Sequence, residues 1–199
     1  MSLQSDKSVQ VSLGFCLLIA WFAAVNGWRL LAVILGAAVA HELGHWAALR
    51  LLGAKILGLR VGILGAVLET DCRRLSYGRE LAAVLAGPGT NLLCAWLLSK
   101  FGDGMEIVVG AHLVLGCFNL VPVRPLDGGQ AFYLLVTCFL GPSAGEQAAR
   151  WLGAITAVIL TVGICGLMEY TGGSLWLFPA AAGLLMTAVR EFFGKASFS

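Results

Sequence analysis

Residues Arg29–Leu52 form an apolar stretch long enough to cross a bilayer, and "HELGH", His41 to His45, sits within it. Lipid constrains such a chain severely. It supplies no hydrogen bonds, so every backbone N–H and C=O must find a partner inside the protein, in helices or in a closed barrel. Further apolar runs read as spans at Val11–Val25, Arg79–Ser99, Glu106–Leu140, Gln147–Met168 and Ser174–Val189. Charged residues make up 12% of the chain and the mean hydropathy is +0.87, against roughly 25% charge in soluble domains. These numbers predict an all-α membrane protein, a bundle of about six transmembrane helices with short loops. The 199 residues leave no room for a second, soluble domain, so one polytopic membrane domain is expected over 1–199. A formal net charge of +2 gives no reason to expect a nucleic-acid partner.

Two smaller features fit this class. Cys16, Cys72, Cys94, Cys117, Cys138 and Cys165 show no CxxC spacing, and all but Cys72 lie in apolar runs. They read as free thiols serving as small hydrophobes. A lysine precedes the first apolar segment, but "AAVNGW" after it offers no small-x-small cleavage site, so the segment is expected to stay as the first span.

The fourth run, Glu106–Leu140, is too long for one crossing, since about 20 helical residues suffice. It contains "VPVRPLDGG", where Pro122 and Pro125 remove amide donors and Gly128 and Gly129 weaken a helix. A broken fourth helix is expected, with a polar cavity at Leu126–Gly129, because interrupted backbone survives at membrane depth only where protein or water satisfies it. Between the second and third spans, Val61–Leu68 is too short to cross and is punctuated by glycine. A short re-entrant β-hairpin or loop is expected there, a plain surface loop being the alternative.

Basic residues set the orientation. Lys7, Arg50, Lys55, Arg60, Arg73, Arg74, Arg79, Arg150, Arg190 and Lys195 share one side, and Arg29 and Lys100 lie on the other. Positive-inside bias puts both termini in the cytoplasm. His41–His45 and Asp127 then fall in the cytoplasmic halves of their spans.

His41 and His45 are four residues apart, so on a helix they project from one face, about 40° apart. Two imidazoles so placed can share one metal ion, with Glu42 beside them as base toward a metal-activated water. Catalytic zinc needs a third protein ligand. Carboxylates in a span are expensive, and Asp127 is the aspartate within a predicted span, at the helix break. His112 competes, but a regular helix would put it about four turns and roughly 20 Å from Asp127, near the opposite face. Asp127 is therefore expected as third ligand, and His112 as an interior histidine with a hydrogen-bonded partner.

"HELGH" on one span and "NLVPVRPLDGG" (Asn119–Gly129) on a later one resemble the paired signatures of the site-2 proteases, the membrane zinc metalloproteases of peptidase family M50. "AGPGTN" (Ala86–Asn91) resembles the Gly-Pro-x-x-Asn element that this family carries between them. The compact plan looks most like the branch of the stage IV sporulation factor protease, without the PDZ or CBS domains of other members. The resemblance implies one Zn2+ held by His41, His45 and Asp127, Glu42 as catalytic acid and base, and Asn91 and Asn119 lining the site as substrate-binding or oxyanion groups. An in-membrane asparagine that simply bridges helices is the alternative for both. The resemblance further implies a membrane-embedded or membrane-associated protein substrate, cleaved in or near its transmembrane segment, and strand pairing between substrate and the Val61–Leu68 hairpin. A bacterial cell membrane is the expected location; the oligomeric state is left open. A catalytically inactive relative or metal-stabilised scaffold is the rival, and it would have no use for Glu42. Two positions depart from the family. Gly89 replaces a bulkier residue and is expected to loosen packing, and Arg124 is charged where relatives are not, with freed carbonyls, Glu69 or substrate as candidate partners.

Overall fold

The computed structural model describes residues 9–62, 65–71, 75–170 and 178–193. The tip of the expected hairpin, the start of the last expected span, Lys7, Cys72, Arg73, Arg74 and Lys195 lie outside them. The chain divides into two compact units, Met1–Phe118 and Asn119–Ser199.

The first unit opens with β1 (Val9–Val11) and α1 (Leu13–Asn26), whose first turn is capped by the Ser12 hydroxyl accepting from the Phe15 amide at 3.2 Å. Gly27, at a φ of +84°, ends α1 and admits α2 (Trp28–Leu51) with no loop between them. Strands β2 (Lys55–Gly62) and β3 (Gly65–Asp71) follow, then α3 (Tyr77–Leu98), a single 3-10 turn and α4 (Glu106–Asn119). Two strands pair where a hairpin or loop is expected, over a longer stretch than Val61–Leu68: β2 and β3 run antiparallel from Lys55 opposite Asp71 to Gly62 opposite Gly65, with a bulge at Ile56/Gly58. The sequence did not announce β1, which pairs parallel with the other side of β2 and makes a three-stranded sheet. Three residues are too few to show an alternating pattern.

Within this unit α2 and α3 pack closely because α2 presents Gly44, with no side chain, to α3. A Cβ added at Gly44 would stand 2.6 Å from the Ala86 carbonyl oxygen and collide with the Thr90 hydroxyl. Helix-to-helix approach through small residues is the usual solution in lipid, where there is no hydrophobic drive for association. Gly89 faces outward with nothing near its absent Cβ, so it loosens no packing, contrary to expectation.

The second unit contains the end of the expected break. The long fourth run is two helices, α4 and α5 (Asp127–Leu140), joined by residues 120–126. Those residues turn tightly: the Val123 amide donates to Val121 at 2.7 Å and the Leu126 amide to Val123 at 2.8 Å, around a cis Arg124–Pro125 bond. Gly128 and Gly129 act differently from the expectation. Both are buried inside the first turn of α5, and the loop folds back over them. A Cβ on Gly128 would strike the Leu120 and Val121 carbonyls, and one on Gly129 would come within 2.8 Å of Val123 backbone. The glycines make room for the loop and do not unwind the helix.

Helix α6 runs Pro142–Tyr170, longer than the expected Gln147–Met168, and α7 runs Phe178–Phe193. Gly141 (φ +86°) stops α5 and Pro142 starts α6, so the loop expected between Leu140 and Gln147 shrinks to one residue. Val123, Ala157 and Ala188 form the buried centre of this unit, flanked by Val121, Leu126, Leu160 and Leu184. Arg124 donates two hydrogen bonds to the Glu146 carboxylate, at 3.1 and 3.0 Å. Arg150 donates to the Glu191 carbonyl at 2.9 and 3.3 Å, satisfying one of the acceptors left over at the end of α7. Burial pushes the Glu191 carboxyl above the usual carboxylate range, opposed by Arg124 and Arg150.

Among the described residues, α2, α3 with its 3-10 turn, and α6 are long and apolar enough to cross a membrane, and α1 and α4 are shorter apolar helices. The five described cysteines are unpaired.

Candidate metal centre

His41 and His45 share one face of α2, as their spacing requires. Their Nε2 atoms stand 3.1 Å apart and the rings meet edge to face at 4.7 Å between centroids. His41 is 5% exposed. The Nδ1 atom of His45 lies 2.9 Å from the Ala83 carbonyl oxygen on α3. A carbonyl can only accept, so this Nδ1 carries the proton and Nε2 presents its lone pair. That is the tautomer a metal ligand needs, fixed by a hydrogen bond to the outer nitrogen. Gly87 keeps the space clear: a Cβ there would fall on the His45 ring. The "AGPGTN" segment thus serves the histidines directly, with Gly87 and Pro88 buried in α3.

Asn91, four residues beyond Gly87, is fully buried at 0% exposure. Its amide bridges two histidines, with Nδ2 at 3.2 Å from His41 Nδ1 and Oδ1 at 3.1 Å from His112 Nδ1. His112, 7% exposed on α4, is therefore one amide away from His41. The expectation that it lies near the opposite face does not hold. The axial distance behind it assumed a regular helix through residues 119–127, where the chain turns. The expected hydrogen-bonded partner of His112 is present, and it is Asn91.

Glu42 follows His41 on α2 and is partly buried. In the second unit, Asp127 is the first residue of α5, where a carboxylate suits the positive end of the helix dipole. The turn at 123–126 and the glycine pair behind Asp127 determine where that first residue stands. Asn119 closes α4 and is partly buried. Sequence reasoning missed Ala83, whose contribution is a backbone atom that no residue type announces. It also missed Glu146, placed in an expected loop.

No family model matches the chain. Over 181 residues it is 26% identical to "Putative zinc metalloprotease Rip3" of Mycobacterium tuberculosis, covering 81% of this chain and 44% of that protein. It is 26% identical over 144 residues to the zinc metalloprotease MJ0392 of Methanocaldococcus jannaschii, covering 67% and 42% respectively. The chain spans less than half the length of these relatives. Among solved structures it resembles the site-2 protease from Methanocaldococcus jannaschii, with a TM-score of 0.67 and 22% identity over 96% of this chain and 93% of that one. The fold is that of a site-2 protease. It is a multi-pass integral membrane fold, and in sequence the chain is similar to curated zinc metalloproteases. Nothing in these likenesses singles out the sporulation branch.

Proposed function

We propose that this chain is an intramembrane zinc metalloprotease that hydrolyses a peptide bond in or near the transmembrane segment of a membrane protein substrate. The observation that carries the reading is the pair of facing Nε2 atoms on α2, one with its lone pair fixed by the Ala83 carbonyl. Two imidazoles and a carboxylate, His41, His45 and Asp127, each offer one ligand atom. We assign these three as the ligands, a donor set that would leave a catalytic zinc an open position. Zinc held there supplies Lewis acidity to water and to the scissile carbonyl. Glu42 takes the proton from the attacking water and returns it to the leaving amine as the C–N bond breaks. Asn119, at the end of α4, is the residue we assign to the substrate backbone.

The substrate must unwind before attack, because a helix ties up its backbone in i to i−4 bonds. Strand addition to the sheet lowers that cost. Since β1 and β3 flank β2, each has an outer edge, and β3 (Gly65–Asp71), the longer of the two, is the edge that an incoming strand would extend. The sheet acts as a re-entrant element at the membrane surface, both termini face the cytoplasm of a bacterial cell, and the compact plan resembles the sporulation-factor branch. One polytopic domain carries the activity.

The test is cleavage of candidate membrane substrates by wild type and Glu42→Gln, with metal content measured in both. Zinc retained with cleavage abolished is expected for Glu42→Gln, and loss of zinc for His45→Ala or Asp127→Ala. Full turnover by Glu42→Gln would eliminate the proposed base. Wild-type zinc binding without cleavage of any membrane substrate would favour an inactive relative.

A further inference from the structure

We propose that Asn91 and His112 form a positioning pair whose hydrogen-bond direction is set by whether His41 Nε2 holds a metal ion. The inference rests on reading His41 and His45 as metal ligands, and it deepens that reading. It moves Asn91 from substrate binding to the support of His41.

Four polar contacts join five groups in one line through the first unit, buried from His112 to His41 and part-buried at His45: His112 to Asn91, Asn91 to His41, His41 to His45, and His45 to the Ala83 carbonyl. Each imidazole with a single proton must place it on one nitrogen or the other, and an amide presents an acceptor at one end and donors at the other. The direction of one bond therefore dictates the next. The Ala83 end is fixed, with the proton on His45 Nδ1 and the lone pair on His45 Nε2. When His41 Nε2 bears a proton, it donates to His45 Nε2, and His41 Nδ1 accepts. Asn91 then turns Nδ2 to His41 and Oδ1 to His112, whose Nδ1 must donate.

A metal ion on His41 Nε2 reverses this. The one proton of His41 moves to Nδ1, which must now donate, so Asn91 meets it with Oδ1. The amide's Nδ2 then faces His112 Nδ1, which must accept and carry its proton on Nε2 instead. Each of the three rings keeps one proton in both arrangements, so no net proton is gained or lost by them. The amide nearly superposes on itself when turned about χ2, and the same distances serve both directions. Asn91 is thus the residue type required: Asp cannot donate to His112, and Leu can do neither.

The chain contains three histidines, so nitrogen NMR of histidine-labelled protein resolves the tautomers directly on the full wild-type chain in detergent or lipid. His112 is expected as the Nδ1–H tautomer after chelation and as the Nε2–H tautomer once zinc is added. In Asn91→Asp, which accepts from both sides, His112 should stay Nδ1–H with or without zinc, and zinc affinity should remain within about tenfold of wild type. Asn91→Leu should weaken zinc by about 10- to 100-fold, the range measured for outer ligand partners. A His112 tautomer that does not respond to zinc, or wild-type affinity in Asn91→Leu, overturns the proposal. His41→Ala separates the two levels. If it fails to lower zinc content, the ligand reading is wrong and this inference falls with it; if it does lower it while the His112 signal stays fixed, this inference alone is wrong.

Discussion

Breaking the Arg124–Glu146 pair should destabilise the second unit by about 2 kcal/mol per single variant, and removing both charges should cost less than the two losses added. The two contacts are 3.1 and 3.0 Å, in the forked geometry that guanidinium and carboxylate favour. Their side chains are 22% and 16% exposed, too buried for the 0–1 kcal/mol typical of surface pairs. At 3 Å and an effective dielectric constant of about 20, the gross attraction is about 5 kcal/mol. Desolvation offsets much of it, which leaves a coupling of about 2 kcal/mol. Each single variant, Arg124→Gln or Glu146→Gln, strands one charge without its partner. The double variant strands none. Thermal unfolding of the four proteins in detergent measures the cycle, and each single loss should lower Tm by about 4–8 °C for a chain of this size. Because the turn bearing Arg124 leads directly into Asp127, zinc affinity should fall in the singles and recover in the double. Strict additivity, with a coupling below about 0.5 kcal/mol, would refute the reasoning.

Two further outcomes test the site. Gly87→Ala should displace the His45 ring and weaken zinc by about tenfold or more, read by metal titration, whereas Gly89→Ala should leave it unchanged because open space surrounds that position. Proline substitutions along β3 should impair cleavage while zinc content holds, since they block strand addition without touching the histidines; unchanged turnover would argue against the sheet as the substrate's docking edge.

The parts of this protein that were legible in its sequence are those where lipid leaves little choice. Apolar length placed α2, α3 and α6, and the two prolines placed the break between α4 and α5. The four-residue spacing placed both imidazoles on one face of α2. Periodicity says which residues share a face and not which faces meet, so the line from His112 through Asn91 to His41 was hidden. The same limit hid the partner of Arg124, because Glu146 belongs to a helix that begins earlier than apolarity alone suggested. The glycines of "LDGG" were read as helix breakers, when their purpose is to admit a neighbouring backbone. The short β1 was invisible for lack of residues to form a pattern.

That strand has a practical consequence. Backbone groups of β2 on the side of β1 are closed off by only three residues, Val9–Val11, and by the bond from the Ser12 amide to Val61 at 2.9 Å. Trimming into this segment, or fusing a bulky tag directly ahead of it, would uncover the β2 edge that β1 now covers, in addition to the outer edge of β3. Preparations altered there should self-associate more readily, and spacers placed before Val9 should restore monodispersity.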